Sequence, residues 1–307
     1  MASTDIFSKL SISSEEVFKY LVNSHIILRC ASPFFKLENF SCTNSKIDKD
    51  TYFVQKCVLS DLLQLFFKVK EIIPNKKIVF EFEGLIKGTQ SIYLIENEGE
   101  CILREKLEFS TYNQFNLPIL NFILSIFFYI DSFIKHLRLK NILYKEKGIK
   151  VPLKSYSTIR SYIIIDADIK AISSLFEDLN KLAVWISPFL KIDVSEKNKE
   201  CHEFSTSLLL PFLPSIHCKV NKKESNKIII SFSNSLFKGK NTWSILPCEN
   251  EFLIENTIEL DEALMYLKLA WYLLGNTVIK NELRNWNKRL KEISEKTNLL
   301  KLIELPA

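Results

Sequence analysis

The chain has 307 residues, 47% of them apolar and 25% charged, a composition typical of globular proteins with room for two hydrophobic cores. Its formal net charge of +5 is spread evenly: residues 1–150 carry 20 basic and 17 acidic side chains, and residues 151–307 carry 21 and 19. Nucleic-acid-binding proteins concentrate positive charge on one surface. The even spread therefore argues against a nucleic-acid partner, and the apolar content argues against a disordered chain.

The cysteines and the first residues bear on the cellular compartment. Seven cysteines, an odd number without a Cys-x-x-Cys pair, indicate a reducing compartment rather than a disulfide scaffold. Residues 1–10 have neither the basic nor the apolar segment of a signal peptide. We expect a cytoplasmic protein that can also contact a membrane surface peripherally. The sequence leaves the oligomeric state open.

The first half of the chain begins with a strand and a helical region. A strand is predicted over residues 5–12, and Ser13 followed by Glu15 and Glu16 is typical of a helix start, with a hydroxyl cap and acids in the first turn. Pro33 ends the helical region, because proline disfavours helical geometry in the residue before it. Apolar alternation then predicts strands over 51–59, 65–72 and 77–82, a strand pair within 85–109, and a long helix over 115–145.

The second half repeats this order. A strand over 161–165 precedes a helix with an apolar face, and the further predictions are strands over 202–210, 216–222 and 227–232, a strand pair within 236–260, and a closing helix over 262–296. Short turns join the strands and no crossover helices separate them, so the sheets should be antiparallel. The predicted fold class is α+β: two tandem domains, each a curved antiparallel β-sheet wrapped around a long C-terminal α-helix.

An internal repeat supports the division into two domains. Residues 85–109 align without a gap with residues 236–260 at a shift of 151, and six of the 25 positions are identical. A second similarity, between residues 32–37 and 187–192, lies at a shift of 155. A period near 150 residues is too long for a solenoid unit and predicts whole domains. We assign the domains to 1–146 and 156–300, with a charged linker at 147–155.

The second copy carries a recognisable series of residues. Gly239 precedes a Trp243–Pro247 stretch, an acidic turn, the strand 252–260 and a long helix that contains Arg284, Arg289 and Leu290. In the first copy Gly88 is kept, but Ile92 stands in place of the tryptophan and Glu96 in place of the proline.

With these residues, the order of elements resembles the START-like helix-grip superfamily (SRPBCC), which includes polyketide cyclase/dehydrase-like and coenzyme-Q-binding proteins. The resemblance covers nearly the whole chain as two domains. It implies a hydrophobic cavity between sheet and helix that holds a lipid-like or aromatic ligand. It implies no particular catalytic residue, because the chemistry differs from member to member.

Motifs for catalysis and for cofactors are absent from the sequence. There is no Walker A loop, GxGxxG, GxSxG or HExxH, and we expect no cofactor. His25 and His136 have no evident partner and are interpreted as ordinary structural histidines.

Two Cys-His pairs, Cys201-His202 and His217-Cys218, have the chemistry of metal ligands. A hairpin turn near residues 212–213 would place His217 opposite Leu208, which leaves the two pairs about five strand steps apart, roughly 16 Å. Ligands of one ion must each lie about 2 Å from it. We therefore expect no metal site.

One polar residue interrupts each apolar strand face of the repeat. If the turns are centred at 97–98 and 248–249, Gln90 lies opposite Glu105, and Asn241 lies opposite Asn256. Burial of such groups requires hydrogen bonds. Two interpretations stay open: each pair satisfies itself across the hairpin, or the pairs orient a ligand in an apolar pocket.

The closing helix of the first copy is apolar on all sides at its start. Residues 109–130 carry no charge, and 11 of the 14 residues 117–130 are apolar. Fourteen helical residues extend only about 21 Å, short of the ~20 residues that a membrane span needs. A helix buried within the sheet is the favoured explanation, and peripheral docking on a membrane is the alternative.

The favoured function is non-catalytic binding of a hydrophobic or amphipathic small molecule, such as a lipid, an isoprenoid quinone or a pigment. The alternative is a cyclase/dehydrase-type enzyme that acts on a polyketide-like or other hydrophobic substrate, with Glu105 as a general base whose pKa burial would raise. A third hypothesis is that one domain has filled its cavity with side chains and supports the other. The predicted ligand-binding residues are Phe80, Phe82, Gln90, Ile92, Glu105, Leu120, Leu124, Ile230, Phe232, Asn241, Trp243, Asn256, Leu267 and Trp271.

The domain division makes a prediction for limited proteolysis. The first cuts should fall between Tyr144 and Ser155, because an exposed charged linker opens most easily. Mass spectrometry of the early fragments would check this. First cuts within 85–109 or 236–260 would show that the division is wrong.

Overall fold

The computed structural model describes residues 2–41, 45–49, 51–58, 64–111, 118–149, 158–177, 190–193, 203–208, 215–224, 226–235, 237–263 and 279–303. The chain divides into two compact units, Met1–Val151 and Pro152–Ala307. The fold class is α+β, as predicted. Each unit has one antiparallel seven-stranded sheet and a long helix that follows its last strand.

In the sheet of the first unit, the second to seventh strands pair in chain order, and the first strand is added beside the last one. Its strands are β1 (Ala2–Leu10), β2 (Phe35–Ser41), β3 (Tyr52–Cys57), β4 (Gln64–Ile73), β5 (Lys77–Gly84), β6 (Ile86–Asn97) and β7 (Glu100–Thr111). Their order in the sheet is β1-β7-β6-β5-β4-β3-β2, so the N-terminal strand pairs with the last one. The large apolar side chains of the inner face pack together, with Phe53 and Phe67 stacked at 4.9 Å between ring centroids.

Three helices cover this inner face. Helix α1 (Ser14–Leu21) begins at Ser13, whose hydroxyl caps the amide of Glu16 as the sequence predicts. Helix α2 (Ser24–Cys30) is capped by Asn23 and ends before Pro33. Helix α3 (Pro118–Glu146) supplies Leu124 and Phe128 to the core.

The second unit has the same strand order. Its elements are β8 (Thr158–Ile165), α4 (Ile169–Glu177), β9 (Leu190–Asp193), β10 (Glu203–Leu208), β11 (Ile216–Glu224), β12 (Lys227–Ser233), β13 (Phe237–Cys248), β14 (Glu251–Ala263) and α5 (Lys280–Ile303). The sheet order is β8-β14-β13-β12-β11-β10-β9. The two repeat segments form the hairpins β6–β7 and β13–β14, and both sheets have a bulge at the same place, after Val69 and after Val220.

Some boundaries differ from the predictions. The short strands β2 and β9, which follow the helical regions, were not predicted. The closing helix of the second unit cannot begin at 262, because β14 continues to Ala263, and it extends to Ile303 rather than 296. Helix α3 reaches Glu146, so proteolysis should begin after that residue. Residues 150–155 of the predicted linker lie outside the described residues.

The register of both repeat hairpins differs from the prediction by two residues. Ile92 lies opposite Glu105, and Trp243 lies opposite Asn256. In the first hairpin the turn is Glu98–Gly99, with φ of 51° and 80°, and this pair of positive angles suits a two-residue turn between twisted strands. The expected turn centre was one residue too early. Because the shift is even, every predicted inward-facing residue keeps its face.

An ion pair with one buried member joins the first strand of each unit to its last, with the charges exchanged. In the first unit Arg104 Nε lies 2.9 Å from Asp5 Oδ1. In the second unit Glu255 takes the place of the arginine, and its Oε1 lies 3.6 Å from Arg160 Nε. Arg104 and Glu255 are both buried. The last strand thus carries the buried cation in the first sheet and the buried anion in the second.

Helix α3 is only half buried, which corrects the expectation that the sheet encloses it. Its inward face packs in the core, but its outward face exposes large apolar side chains, and Phe122 is 66% exposed. Among the described residues, no helix combines the length and apolarity that crossing a membrane requires.

The glycines shared by the two hairpins make room for an aromatic ring. A Cβ at Gly88 would lie 2.0 Å from the carbonyl oxygen of Glu108 and 2.8 Å from the ring of Phe82. A Cβ at Gly239 would meet Glu259 and Phe232 in the same way.

We therefore predict that Gly88→Ala destabilises the first unit by about 1–3 kcal/mol, because backbone atoms must shift to admit the methyl group. Thr89→Ala, on the outward face of the same strand, is the control. Urea unfolding would measure both, and an unchanged midpoint for Gly88→Ala would contradict the close packing.

Candidate functional site

The candidate site lies on the inner face of the first unit, where β6 and β7 meet helix α3. Glu105 of β7 is 4% exposed and accepts three hydrogen bonds. Gln90 Nε2 donates to Glu105 Oε1 over 2.6 Å, and the Ser132 hydroxyl donates to the same oxygen over 2.5 Å. His136 Nε2 lies 3.1 Å from Glu105 Oε2. The carboxylate therefore links the sheet to the helix.

His136 is the centre of a chain of polar groups, which supplies the partners that the sequence did not reveal and agrees with its interpretation as a structural histidine. Its Nε2 faces the Glu105 carboxylate and therefore carries a proton and donates it. Its Nδ1 lies 2.9 Å from the Ser8 hydroxyl of β1. Nδ1 accepts a hydrogen bond from Ser8 when the ring is neutral and donates one when the ring is charged, so both ring nitrogens are engaged in either form.

The ionisation of Glu105 also differs from the expectation. Burial by itself raises the pKa of Glu105, but the hydrogen bond and charge of His136, with help from Lys135 and Ser132, outweigh it and lower the pKa to about 2. Glu105 is therefore a carboxylate at neutral pH. A carboxylate with so low a pKa is a weak general base.

An ion pair on helix α3 lies next in the chain to the residues that bind Glu105. Lys135 Nζ lies 2.6 Å from Asp131 Oδ2, and Asp131 is 1% exposed. Burial lowers the pKa of Lys135, but Asp131 and Glu105 more than compensate, so the pKa lies above its usual value and Lys135 is an ammonium. Asp131 Oδ1 has no hydrogen-bond partner among the described residues.

A cavity of about 90 Å³ lies beside these groups, between helices α1 and α2, the sheet and α3. Gln90, Glu105, Lys135 and His136 form one wall. The rest of the lining is mainly apolar and includes Tyr20, Leu21, Ile26, Ile27, Phe53, Phe80, Ile92, Leu103 and Leu139. The thiol of Cys30 also contacts the cavity, and burial raises its pKa to about 11, so it is no nucleophile at neutral pH.

The second unit has amides where the first has charges. Asn256 stands in place of Glu105, and Asn256 Nδ2 lies 3.4 Å from Asn287 Oδ1 of α5. Asn287 Nδ2 in turn donates to the Ser161 hydroxyl over 3.2 Å. Asn241 and Asn256 do not satisfy each other, because the Oδ1 atoms of both are buried without a partner among the described residues.

The other predicted site residues are divided between cavity and core. Phe80 and Ile92 line the cavity, whereas Phe82 and Leu124 pack in the core of the first unit. In the second unit, Ile230, Phe232 and Trp243 belong to the core, and Trp243 lies 5.5 Å from Phe176 between ring centroids. Leu267, Trp271 and the side chain of Leu120 lie outside the part of the chain that the structure describes.

The predicted hairpin of the Cys-His pairs also shifts. His217 pairs with Ser205 rather than Leu208, while Cys201 and His202 lie outside the described residues. Where the structure describes the chain, no three His, Cys, Asp or Glu side chains are grouped to hold a metal ion.

Sequence reasoning missed the contribution of helix α3. Asp131, Ser132, Lys135 and His136 are spaced by three and four residues, so they share one side of a helix that is otherwise apolar. That spacing was a signal for a polar cluster. Ser8 gave no comparable signal, because a single serine in a strand is common.

Comparison with known proteins gave matches only among solved structures. No protein-family model matches the sequence, and no curated protein does. The di-domain ARO/CYC StfQ from the steffimycin biosynthetic pathway is 10% identical, with a TM-score of 0.38, over 96% of this chain and 99% of that one. The di-domain ARO/CYC BexL from the BE-7585A pathway is 11% identical, with the same TM-score and coverage.

A single-unit match is TTHA0849 from Thermus thermophilus, which is 13% identical with a TM-score of 0.37 and covers 46% of this chain and 98% of its own. With TM-scores below 0.5, these similarities carry no functional argument. The site is therefore interpreted from its own geometry.

The low pKa of Glu105 predicts a pH dependence of stability. Its pKa is about 2 in the folded chain, against 4.5 for a free glutamate, so the carboxylate stabilises the fold above pH 4.5 and this contribution is lost as the pH falls towards 2. In this window the unfolding free energy of the wild type should fall faster than that of Glu105→Gln, by up to about 1.4 kcal/mol per pH unit. Urea titrations across the window would measure both slopes.

Glu83→Gln, at an exposed position of β5, controls for the loss of one negative charge. If wild type and Glu105→Gln lose stability in parallel through the window, the carboxylate is not held by His136 as described.

Proposed function

We propose that the first unit binds a small molecule with an apolar body and one polar group, in the cavity between the sheet and helices α1, α2 and α3. The observation that carries this proposal is a wall of buried polar groups on an otherwise apolar cavity. Protein sites for small molecules have this composition, with few polar groups that fix orientation. The proposed role is non-catalytic.

The polar wall supports a ligand group that accepts hydrogen bonds. Lys135 has three N–H donors, of which Asp131 takes one, and it lines the cavity. A carbonyl, hydroxyl or carboxylate oxygen suits such a donor. The aromatic and aliphatic lining around Phe53, Phe80 and Ile92 suits the apolar body of a lipid, quinone or pigment.

The volume sets a condition on binding. Sites for drug-sized molecules have about 300–1,000 Å³, whereas this cavity has about 90 Å³. A ligand of the proposed class therefore requires α1 and α2 to move away from α3. Both are short, at eight and seven residues, and helices of that length depend on packing rather than on their own stability.

In the second unit, Trp243 supports a different role. It occupies the position equivalent to Ile92, is 1% exposed and packs against Phe176. We propose that this side chain fills the space that the first unit keeps open, and that the second unit mainly supports the first.

The alternative is an enzyme of the cyclase/dehydrase kind. The acid–imidazole pair beside the cavity favours it, since such pairs transfer protons in many active sites. Two observations weigh against it: the pKa of Glu105 is too low for a good base, and both ring nitrogens of His136 are bonded to protein groups. In this alternative His136, not Glu105, would be the proton carrier.

We predict that Ile92→Trp, which copies the second unit, closes the cavity and weakens ligand binding at least tenfold, about 1.4 kcal/mol. Fluorescence titration with the amphipathic probe anilinonaphthalene sulfonate would measure this. Tyr93→Trp, on the opposite face of β6, is the matched control for the added indole. Ile126→Glu on α3 controls for adsorption to exposed apolar surface.

Equal affinity in wild type and Ile92→Trp would refute binding in this cavity. The natural ligand can be identified by extracting natively purified protein with organic solvent and analysing the extract by mass spectrometry. We expect an amphipathic molecule in wild type that is depleted in Ile92→Trp.

A further inference from the structure

An exposed apolar stripe runs along helix α3. It consists of large side chains at intervals that place them on one side of the helix, each between 41% and 66% exposed: Phe122, Ile123, Ile126, Tyr129, Ile130, Phe133 and Leu137. We call these seven residues the α3 stripe. They face away from the core to which Leu124 and Phe128 belong.

The equivalent helix of the second unit shows that the fold does not require such a surface. In the part of this helix that the structure describes, from Lys280 onward, the exposed positions are polar or charged: Asn281, Arg284, Asn285, Lys288, Glu292 and Lys296. Both helices pack against a sheet of the same topology. Over the stretch from Tyr129 to Leu137, whose counterparts the structure describes, the apolar surface therefore belongs to α3 and not to α5.

We propose that the α3 stripe is the interface through which two copies of this chain form a homodimer. The exposed area supports this occupant. A Phe or Tyr side chain buries about 150–250 Å² when fully covered, and Ile and Leu bury somewhat less, so these seven half-exposed side chains offer on the order of 600 Å² per copy. Two copies would bury on the order of 1,200 Å², which reaches the range of specific protein interfaces.

The absence of charge in the stripe also supports a second copy. A two-fold symmetric interface brings the same patch against itself, so any charged residue near its centre would meet its own like charge. The α3 stripe contains no ionisable side chain other than the Tyr129 phenol, which is neutral at ordinary pH. It can therefore face itself without repulsion.

A membrane surface is the competing occupant, and the charges near the stripe favour it less. Helices that dock on anionic membranes carry Lys and Arg beside their apolar face. Of the four basic residues of α3, Lys135 is paired with Asp131, the Arg138 guanidinium donates to the Ala31 carbonyl, and Lys140 Nζ lies 5.3 Å from the centroid of the Tyr144 ring. These three serve the fold, and Lys145 lies two helical turns beyond the last residue of the stripe.

Sedimentation velocity of the full chain over a dilution series tests the proposal. We expect a dimer for the wild type, and a monomer for the double variant Ile126→Glu with Phe133→Glu, with the dissociation constant raised at least 100-fold. Because both side chains are exposed, circular dichroism melts should show that the double variant stays folded.

Phe66→Glu is the matched control, because Phe66 is 50% exposed on strand β4, outside the stripe, and this variant should remain a dimer. A wild type that is monomeric throughout the series would overturn the proposal, as would a dimer that persists in the double variant. Binding of a monomeric wild type to phosphatidylcholine–phosphatidylserine vesicles, lost in the double variant, would assign the stripe to a membrane instead.

Discussion

The contact between Glu105 and His136 is the constraint on which the first unit depends. Helix α3 is apolar on nearly all sides over its first half, so hydrophobic burial alone would stabilise many rotations of the helix about its axis. A buried carboxylate requires a hydrogen-bonding partner, and only one rotation brings Ser132 and His136 to Glu105. We infer that this cluster sets which face of α3 turns inward, and therefore which residues form the stripe outside.

The second unit needs no such device. Helix α5 has one polar side, and this amphipathic pattern by itself sets its rotation. Where the first unit has Glu105 and His136, the second has the neutral pair Asn256–Asn287, whose 3.4 Å separation indicates a weaker hydrogen bond than those of Glu105. One architecture thus carries a charged, cavity-forming interior in one half and an interior with a buried tryptophan in the other.

The sequence was most informative where a pattern was local. Strand alternation predicted the inward faces of the repeat, and the even register error left them intact. The error arose because the positive φ of Glu98 depends on the turn type, which the letters Glu-Asn-Glu-Gly do not specify uniquely. The partner of Glu105 was harder to find, because Glu105 and His136 are separated by a helix start and lie on different elements.

The exposed side of α3 could not be read from hydrophobicity, because a buried and an exposed apolar residue look the same in sequence. Only the positions of Asp131, Ser132, Lys135 and His136 distinguish the two sides. These polar residues marked the inward side, contrary to the usual rule that polar residues face water. The rule fails here because the polar residues serve a buried cluster.

The exchanged ion pair has a consequence for how a chain with two like halves assembles. Domains of similar topology in one chain can misassemble by trading strands. If β1 joined the second sheet, Asp5 would meet the buried carboxylate of Glu255, and if β8 joined the first, Arg160 would meet the buried guanidinium of Arg104. Because Arg104 and Glu255 are buried, a like charge beside either of them would be unfavourable. The reversal of sign therefore favours the pairing of β1 and β8, the first strands of the two units, each with its own sheet.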